Sequence, residues 1–512
     1  MIRILEYLFS ASTGDWIRFG GFFLGIVLFI AAAEKTRVAL GWPPEVNRKL
    51  VHILTGVLIF FTPFFFQSNR PLIWMAVIFI VVNYMGVRSG KLKGMHDTQR
   101  RSYGTVFYPM TFLLLVMTCW QSHKAVLMLS MLILALADAA AAIMGENLKH
   151  PHEFYLGRDK KSWEGSTVMF ITTFAIVFIG LPFVDYIDNL TVGWLLAGWI
   201  ALITAVVATA LEALSSSGSD NLTAPMGAAF VLSFMLVHPI VANIQLSIGL
   251  GLALLVALLS YRARFLTASG SVGTFLLATL IFGVGGWVWA LPILTFFLIS
   301  SLLSKIGKAH KIQFGLMFEK SSRRDIGQVL ANGAVAGLIM VLYNYNPNPV
   351  WFVAYLGALA AVNSDTWATE IGVFSPIPPR SIRTLRQVPP GSSGGVTLLG
   401  LFSGLVGSAI IVLIGWLVAS GALLLDMVGR TFWIIVTAGL LASIVDSVLG
   451  ATLQAQYQCP SCHKITEKKV HCDGEHTQLV SGRSWLNNDW VNFFCSSSGA
   501  LFAWAGAKMF IK

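Results

Sequence analysis

Asp138 stands in Leu134-Ala135-Leu136-Ala137-Asp138-Ala139-Ala140-Ala141-Ala142-Ile143-Met144-Gly145, a carboxylate inside an apolar run of small residues. An acid inside a membrane helix costs roughly 2.5–3.5 kcal/mol, so it is a functional candidate by default. Small neighbours let a second helix or a ligand come close. Downstream, Gly157-Arg158-Asp159-Lys160-Lys161-Ser162-Trp163-Glu164-Gly165-Ser166 sets basic and small polar residues ahead of the next apolar run. Cationic side chains and free backbone N–H groups at a helix start suit a phosphate. Glu212 and Asp220-Asn221 then supply hard oxygen donors, which Mg²⁺ takes alongside water and substrate phosphate. Arg48-Lys49-Leu50-Val51-His52 places a basic pair at a helix start with His52 one turn in. Each element has a plainer reading: an ordinary loop, interfacial anchors in Arg48 and Lys49, an interhelical hydrogen bond from His52. Together they gather acids, cations and metal-type oxygens at one membrane face.

Membrane helices must position these groups. Of 512 residues, 56% are apolar or aromatic and 12% charged, where soluble proteins carry about 25% charge. Read as helices crossing roughly 30 Å of hydrocarbon, the apolar runs predict spans near 17–33, 50–66, 72–87, 104–119, 124–145, 166–186, 191–211, 224–238, 242–260, 271–286, 287–303, 326–343, 349–373, 396–418, 430–453 and 490–510. The expected fold is an all-α, polytopic integral membrane protein of about 14–16 transmembrane helices in two halves, 1–250 and 251–512. A secreted domain, a soluble enzyme with one anchor and a receptor with a large ectodomain are excluded.

Basic residues cluster at 35–49, 88–101, 149–161, 262–264, 305–324, 380–386 and 464–483. Even numbers of proposed spans separate them, so all fall on one side, the cytoplasmic one by the positive-inside rule. The net charge of +11 then reflects loop bias and anionic-lipid contact, and no nucleic-acid partner is expected. The start, Met1-Ile2-Arg3-Ile4-Leu5, lacks a convincing cleavable signal, so the first helix is expected to remain. A bacterial plasma membrane is the expected location.

A second series follows the first. Arg323-Arg324 precede a helix with Gln328 four residues after Arg324, as His52 follows Arg48. Asn363-Ser364-Asp365-Thr366-Trp367-Ala368-Thr369-Glu370-Ile371-Gly372 repeats the interval from Asp138 to Gly145. A loop with Arg380, Arg383 and Arg386 closes in Pro390-Gly391-Ser392-Ser393-Gly394-Gly395-Val396-Thr397, paralleling Lys161–Thr167. Asp446 parallels Glu212, and Asn488-Asp489 with Asn492 parallel Asp220-Asn221. Chance similarity between small-residue helices is the alternative.

The ordered motifs Arg48-Lys49-x-x-His52, Asp138-Ala-x-Ala-x-x-x-Gly145, Gly157-x-x-Lys160-Lys161-Ser162-x-Glu164-Gly165-Ser166 and Glu212…Asp220-Asn221-Leu-Thr-x-Pro225 resemble the dolichol kinase and phytol kinase family over about residues 30–235. That resemblance implies a multi-spanning enzyme phosphorylating a long-chain isoprenoid alcohol, typically with CTP. Glu146-Asn147-Leu148-Lys149-His150 departs from the Gly- and basic-rich stretch frequent in relatives, which leaves CTP or ATP open. Ser269-Gly270-Ser271-Val272-Gly273, Asn363–Glu370, Pro390-Gly391-Ser392-x-Gly394-Gly395 and Asn488-Asp489-x-x-Asn492 resemble the integral membrane family that includes plant phytyl-phosphate kinases, over about 250–512. Members with assigned activity add a second phosphate to an isoprenyl monophosphate.

These readings combine into a two-step isoprenoid lipid kinase, embedded in the bilayer, with prenyl alcohol and prenyl phosphate as substrates. Asp138, Lys161, Glu212 and Asp220 are the catalytic candidates of the first half, and Asp365 and Asp446 those of the second. Arg48, Lys49, His52, Arg158, Lys160, Ser162, Gly165 and Asn221, then Arg383, Arg386, Ser392, Asp489 and Asn492, are candidates for substrate binding. Asp138, Asp220, Asp365 and Asp446 are expected to hold Mg²⁺, with Glu212 beside them. The rival readings are a transporter of a lipid or anionic solute and a protein with one catalytic half, such as a polyprenol or diacylglycerol kinase.

Within 455–485, Cys459-Pro460-Ser461-Cys462, Cys472 and His471 have the types and spacing of a structural zinc site. A reduced, metal-free pair is the alternative, and a disulfide is disfavoured on a cytoplasmic loop. Cys119 and Cys495 fall in apolar runs.

Overall fold

The computed structural model describes residues 9–89, 103–306, 323–419, 429–472 and 474–510. Most of the basic clusters at 88–101 and 305–324 lies outside the described residues. Every predicted span has a helix over it. They are α1 (Thr13–Leu40), α2 (Pro44–Phe60), α3 (Arg70–Ser89), α4 (Gly104–Cys119), α5 (Lys124–Asn147), α6 (Trp163–Val184), α7 (Trp194–Leu214), α8 (Asp220–Val237) and α9 (Ile240–Arg262). There follow α10 (Ala268–Ile306), α11 (Ile326–Tyr345), α12 (Pro349–Gly372), α13 (Leu398–Val418), α14 (Arg430–Thr452) and α15 (Asn488–Phe510). Among the described residues, 11 helices are long and apolar enough to cross a membrane. The protein is an all-α polytopic membrane protein, and its strands are short hairpin pieces.

The predicted spans 271–286 and 287–303 are two helices, numbered together as α10, that meet at a kink at Gly286. Its φ of 63° and ψ of −158° lie where only glycine rests without strain.

The chain divides into two compact units, Met1–Asn243 and Ile244–Lys512. In the first, an acid-bearing helix (α5) is followed by the antiparallel hairpin β1 (Glu153–Tyr155) and β2 (Lys160–Ser162), then by α6, α7 and α8. In the second, α12 is followed by the hairpin β3 (Arg380–Ser381) and β4 (Gly395–Val396), then by α13, α14 and α15. The acid helix is the hub of each: α5 packs on α2, α6 and α8, and α12 on α13, α14 and α15.

One local design joins hairpin to hub in both units. Ser162 caps α6 by accepting from Gly165 N at 3.1 Å, and Thr397 caps α13 by accepting from Gly400 N at 3.0 Å. A Cβ on Gly165 would lie 3.1 Å from the Ala141 carbonyl oxygen, and one on Gly400 would lie 2.9 Å from that of Ala368. Gly145 and Gly372 make room for the two capping hydroxyls in the same way. Asp138, Ala141, Gly145, Ser162 and Gly165 therefore correspond to Asp365, Ala368, Gly372, Thr397 and Gly400.

This register corrects two of the parallels drawn from sequence. Thr397, not Ser392, occupies the place of Ser162, so Val396 stands where the first unit has Lys161. Arg324 and Gln328 lie at the start of α11, immediately before the acid helix, as α4 is before α5. Arg48 and His52 lie on α2, two helices earlier. A four-residue spacing recurs at any helix start, because it is one turn, and it carried no register.

Candidate active site

In the first unit the hairpin delivers Lys161 to two acids. Its Nζ lies 2.5 Å from Glu212 Oε1, near the end of α7, and 3.2 Å from Asp220 Oδ2, at the start of α8. The three side chains are 15%, 8% and 20% exposed. Burial opposes the charge on Lys161, but the carboxylates of Asp220 and Glu212 overcome it and hold the ammonium above the usual lysine range. The hairpin is anchored over the α7–α8 turn by Asp159, whose Oδ2 accepts from Ser217 N at 2.6 Å.

Asp138 closes a π-helical segment, Ile133–Asp138, inside α5. Such segments upset the regular backbone pairing and recur at functional sites. His52 lies against this one, with Nε2 2.8 Å from the Leu134 carbonyl oxygen and 3.8 Å from Asp138 Oδ2. Nε2–H thus donates to Leu134. Tyr108 donates its hydroxyl to the His52 carbonyl at 3.1 Å, and Thr111 donates to that of Asn221 at 2.7 Å.

These residues form one end of a cavity of about 300 Å³. Arg48, Lys49, His52, Asp138 and Asn221 line its polar part, and Ile26, Ile59, Met75, Phe79 and Phe112 are among its apolar walls.

The second unit is arranged differently. Asp365 on α12 and Asp446 on α14 lie close enough to interact electrostatically, and Ser364 donates to Ser443 at 3.3 Å between the same two helices. A separate cavity of about 180 Å³ has almost wholly apolar walls, with Arg324, Gln328 and Asn332 as its polar groups. Arg324 donates to Ser300 Oγ at 2.9 Å and stacks over Phe296 and Phe297. Burial lowers its pKa to about 10, against a pull upward from Glu370, so it stays a cation at neutral pH.

A family model described as integral membrane protein DUF92 matches residues 251–500. The protein PGR of Arabidopsis thaliana is 32% identical over 261 residues, 47% of this chain and 88% of that protein. The chain belongs to the DUF92 family of integral membrane proteins. A protein named phytol kinase from Synechocystis sp. is 29% identical over 223 residues, 42% of this chain and 90% of that one. Protein VTE6, chloroplastic, of Arabidopsis thaliana is 26% identical over 268 residues, 51% of this chain and 69% of that one. No solved structure matches.

Among the sequence-picked residues of this DUF92 protein, Asp138, Lys161, Glu212, Asp220, Asn221, Arg48, Lys49 and His52 share one region. Lys160 does not join them: neighbours on a strand face opposite ways, and its ammonium pairs with Glu153 across the hairpin. Arg158, Arg383 and Arg386 are exposed. Ser162 and Gly165 are spent on the helix cap, and Ser392 donates to Pro389 O within its own turn. Asp489 and Asn492 lie in the first turns of α15 and are half-buried.

Sequence reasoning missed Tyr108, and it picked out Arg324 only as a parallel to Arg48, not as a buried cation. Pro109, a proline inside an apolar helix, was the available signal for the first, and burial among aromatic rings has none in sequence.

Proposed function

We propose that the protein is an isoprenoid lipid kinase, in which the first unit transfers a phosphoryl group from CTP or another nucleoside triphosphate to a prenyl alcohol and the second phosphorylates the resulting monophosphate. The observation that carries it is the first cavity: apolar walls sized for part of a prenyl chain end at Asp138, His52, Arg48 and Lys49. The Lys161–Glu212–Asp220 cluster acts electrostatically on Asp138. The relatives named phytol kinase support this reading.

Asp138 is the group to receive the alcohol's proton, and His52, whose Nε2–H donates to the Leu134 carbonyl, fixes the π segment. Arg48 and Lys49 attract the phosphates, with Lys49 also paired to Glu146. Mg²⁺ fits the donors present: Glu212 Oε2, Asn221 Oδ1 and Asp446 Oδ2 are buried oxygens without a partner, and hard oxygens are its ligands. Asp138, Asn221 and Asp220 would hold it in the first unit and Asp365 with Asp446 in the second, where it would neutralise phosphate charge. Val396 in the place of Lys161 also favours a second reading, in which only the first unit is catalytic.

A transporter is less well supported. Its acids belong near mid-bilayer with access from both faces; here Asp138, Asp365 and Asp446 do lie inside helices, but Glu212 and Asp220 sit at helix ends beside the hairpin lysine. Full-length protein in detergent, given labelled CTP or ATP with a panel of prenyl alcohols and their monophosphates, tests the proposal by lipid extraction. Labelled prenyl monophosphate and diphosphate are expected. Absence of both with every donor and alcohol defeats it.

A further inference from the structure

The segment between α14 and α15 has no counterpart in the first unit, where α7 and α8 are joined by a tight turn. It folds as paired hairpins. In one, β5 (Gln456–Gln458) pairs with β6 (Ile465–Thr466), and Cys459 and Cys462 occupy the turn between them. In the other, β7 (Val470–His471) pairs with β8 (Glu475–His476), and His471 and Cys472 open its turn.

The first turn has the shape of a metal-binding knuckle. His463 N donates to Cys459 O at 2.9 Å and Cys459 N to Lys464 O at 3.1 Å, while His463 takes a φ of 57°. The two hairpins bring one ligand atom each from Cys459, Cys462, His471 and Cys472 within 4.8 Å of one another. His471 Nδ1 lies 3.5 Å from Cys462 Sγ and 3.1 Å from Cys472 Sγ. A nitrogen and a sulfur at about 2.0 and 2.3 Å from a tetrahedral zinc ion stand roughly 3.5 Å apart. Three sulfurs and one imidazole nitrogen, the donor types zinc takes, thus converge from two separate turns.

We infer that Cys459, Cys462, His471 and Cys472 bind one structural zinc ion that holds the insertion against the glycine-rich loop of the second unit. Four protein ligands leave no open position, as in structural rather than catalytic sites. The link to the loop runs through Gln454. Its Nε2 donates to Glu467 Oε1 at 2.7 Å, between the two ligand pairs, and its Oε1 accepts from Ser393 Oγ at 2.8 Å. Gln454 is 3% exposed. Gly394, beside Ser393, lies so close to Ala451 and Ser447 on α14 that no Cβ fits. Zinc thus fixes a chain of contacts ending one helical turn from Asp446.

Tag-free, full-length protein is purified from cells and its metal content measured by mass spectrometry, followed by cobalt substitution. About one zinc per chain is expected, with thiolate-to-cobalt absorption in the substituted protein. Cys459→Ser with Cys462→Ser should lose the zinc. Iron in its place, no metal, a disulfide between Cys459 and Cys462, or a double variant that keeps its zinc would each overturn the site. The cobalt spectrum of the unaltered protein decides the matter if the variant misfolds. Chelation should raise hydrogen exchange across residues 388–396 and leave 153–165 unchanged. Equal exchange at 388–396 with and without zinc overturns the link to the loop.

Discussion

The same hairpin ends in Lys161-Ser162 in one unit and in Val396-Thr397 in the other. In the first, a cation arrives with the cap and is shared by Glu212 and Asp220. In the second, the cap arrives without one, and Asp365 and Asp446 lie near each other with Val396 at the lysine's position. The scaffold is common, but the charge balance is not. The first site has a lysine between two of its acids, and the second has a valine at that position.

The sharpest test of that division is to disable one unit at a time. Asp138→Asn should lower prenyl monophosphate formation by about 10²–10³-fold, the usual scale for a group that acts on developing charge. It should leave conversion of supplied prenyl monophosphate unchanged. Asp446→Asn should do the reverse. If Asp138→Asn abolishes both steps even when monophosphate is supplied, the units do not divide the work and the comparison breaks.

Lys161→Val gives the first unit the second unit's residue. Removing one member of a buried ion pair leaves the others uncompensated and costs about 3 kcal/mol or more. A lower Tm in detergent, together with loss of the first step, is expected. The raised pKa of Lys161 sets the pH dependence. Its contribution is complete below the ordinary lysine value and is lost only as pH climbs through the higher folded one, so the Tm gap should stay level from about pH 6 to 9. A gap that closes within that range would place the lysine's role elsewhere.

Much of this was legible in the residues. Long apolar runs fixed every helix, because nothing else satisfies the backbone in hydrocarbon, and Asp138 and Asp365 stood out through the cost of burying them. The register between units was not legible. Ser392 and Thr397 both precede α13 in a run of small polar residues, and only the structure, through the Gly400 N–Thr397 hydrogen bond and the contact of Gly400 with Ala368 O, tells which one is the cap. Lys160 and Lys161 are equally basic in sequence, and strand alternation alone sends one to Glu153 and the other to Glu212. The π segment of α5 leaves no compositional mark.

The shared contact should be costly in both units. Gly165→Ala and Gly400→Ala push a methyl group against a backbone carbonyl that cannot swing aside, and overpacking of this kind costs about 1–3 kcal/mol. The closer approach, 2.9 Å against 3.1 Å, makes Gly400→Ala the worse of the two. Thermal unfolding of the two variants ranks them, and a harmless Gly400→Ala would mean that the hairpin does not seat on α12.

The caps give the smallest effect and the strictest comparison. Ser162→Ala and Thr397→Ala each remove one hydroxyl acceptor from a helix start, worth about 1 kcal/mol. Neither hydroxyl bonds to an acid of its site, so their loss should act through the helix alone. The two variants should lose equal stability, and each should keep most of its unit's activity. A Ser162→Ala variant that keeps its Tm but loses the first step would show that this hydroxyl touches substrate, and the likeness between the caps would then be one of shape without shared role.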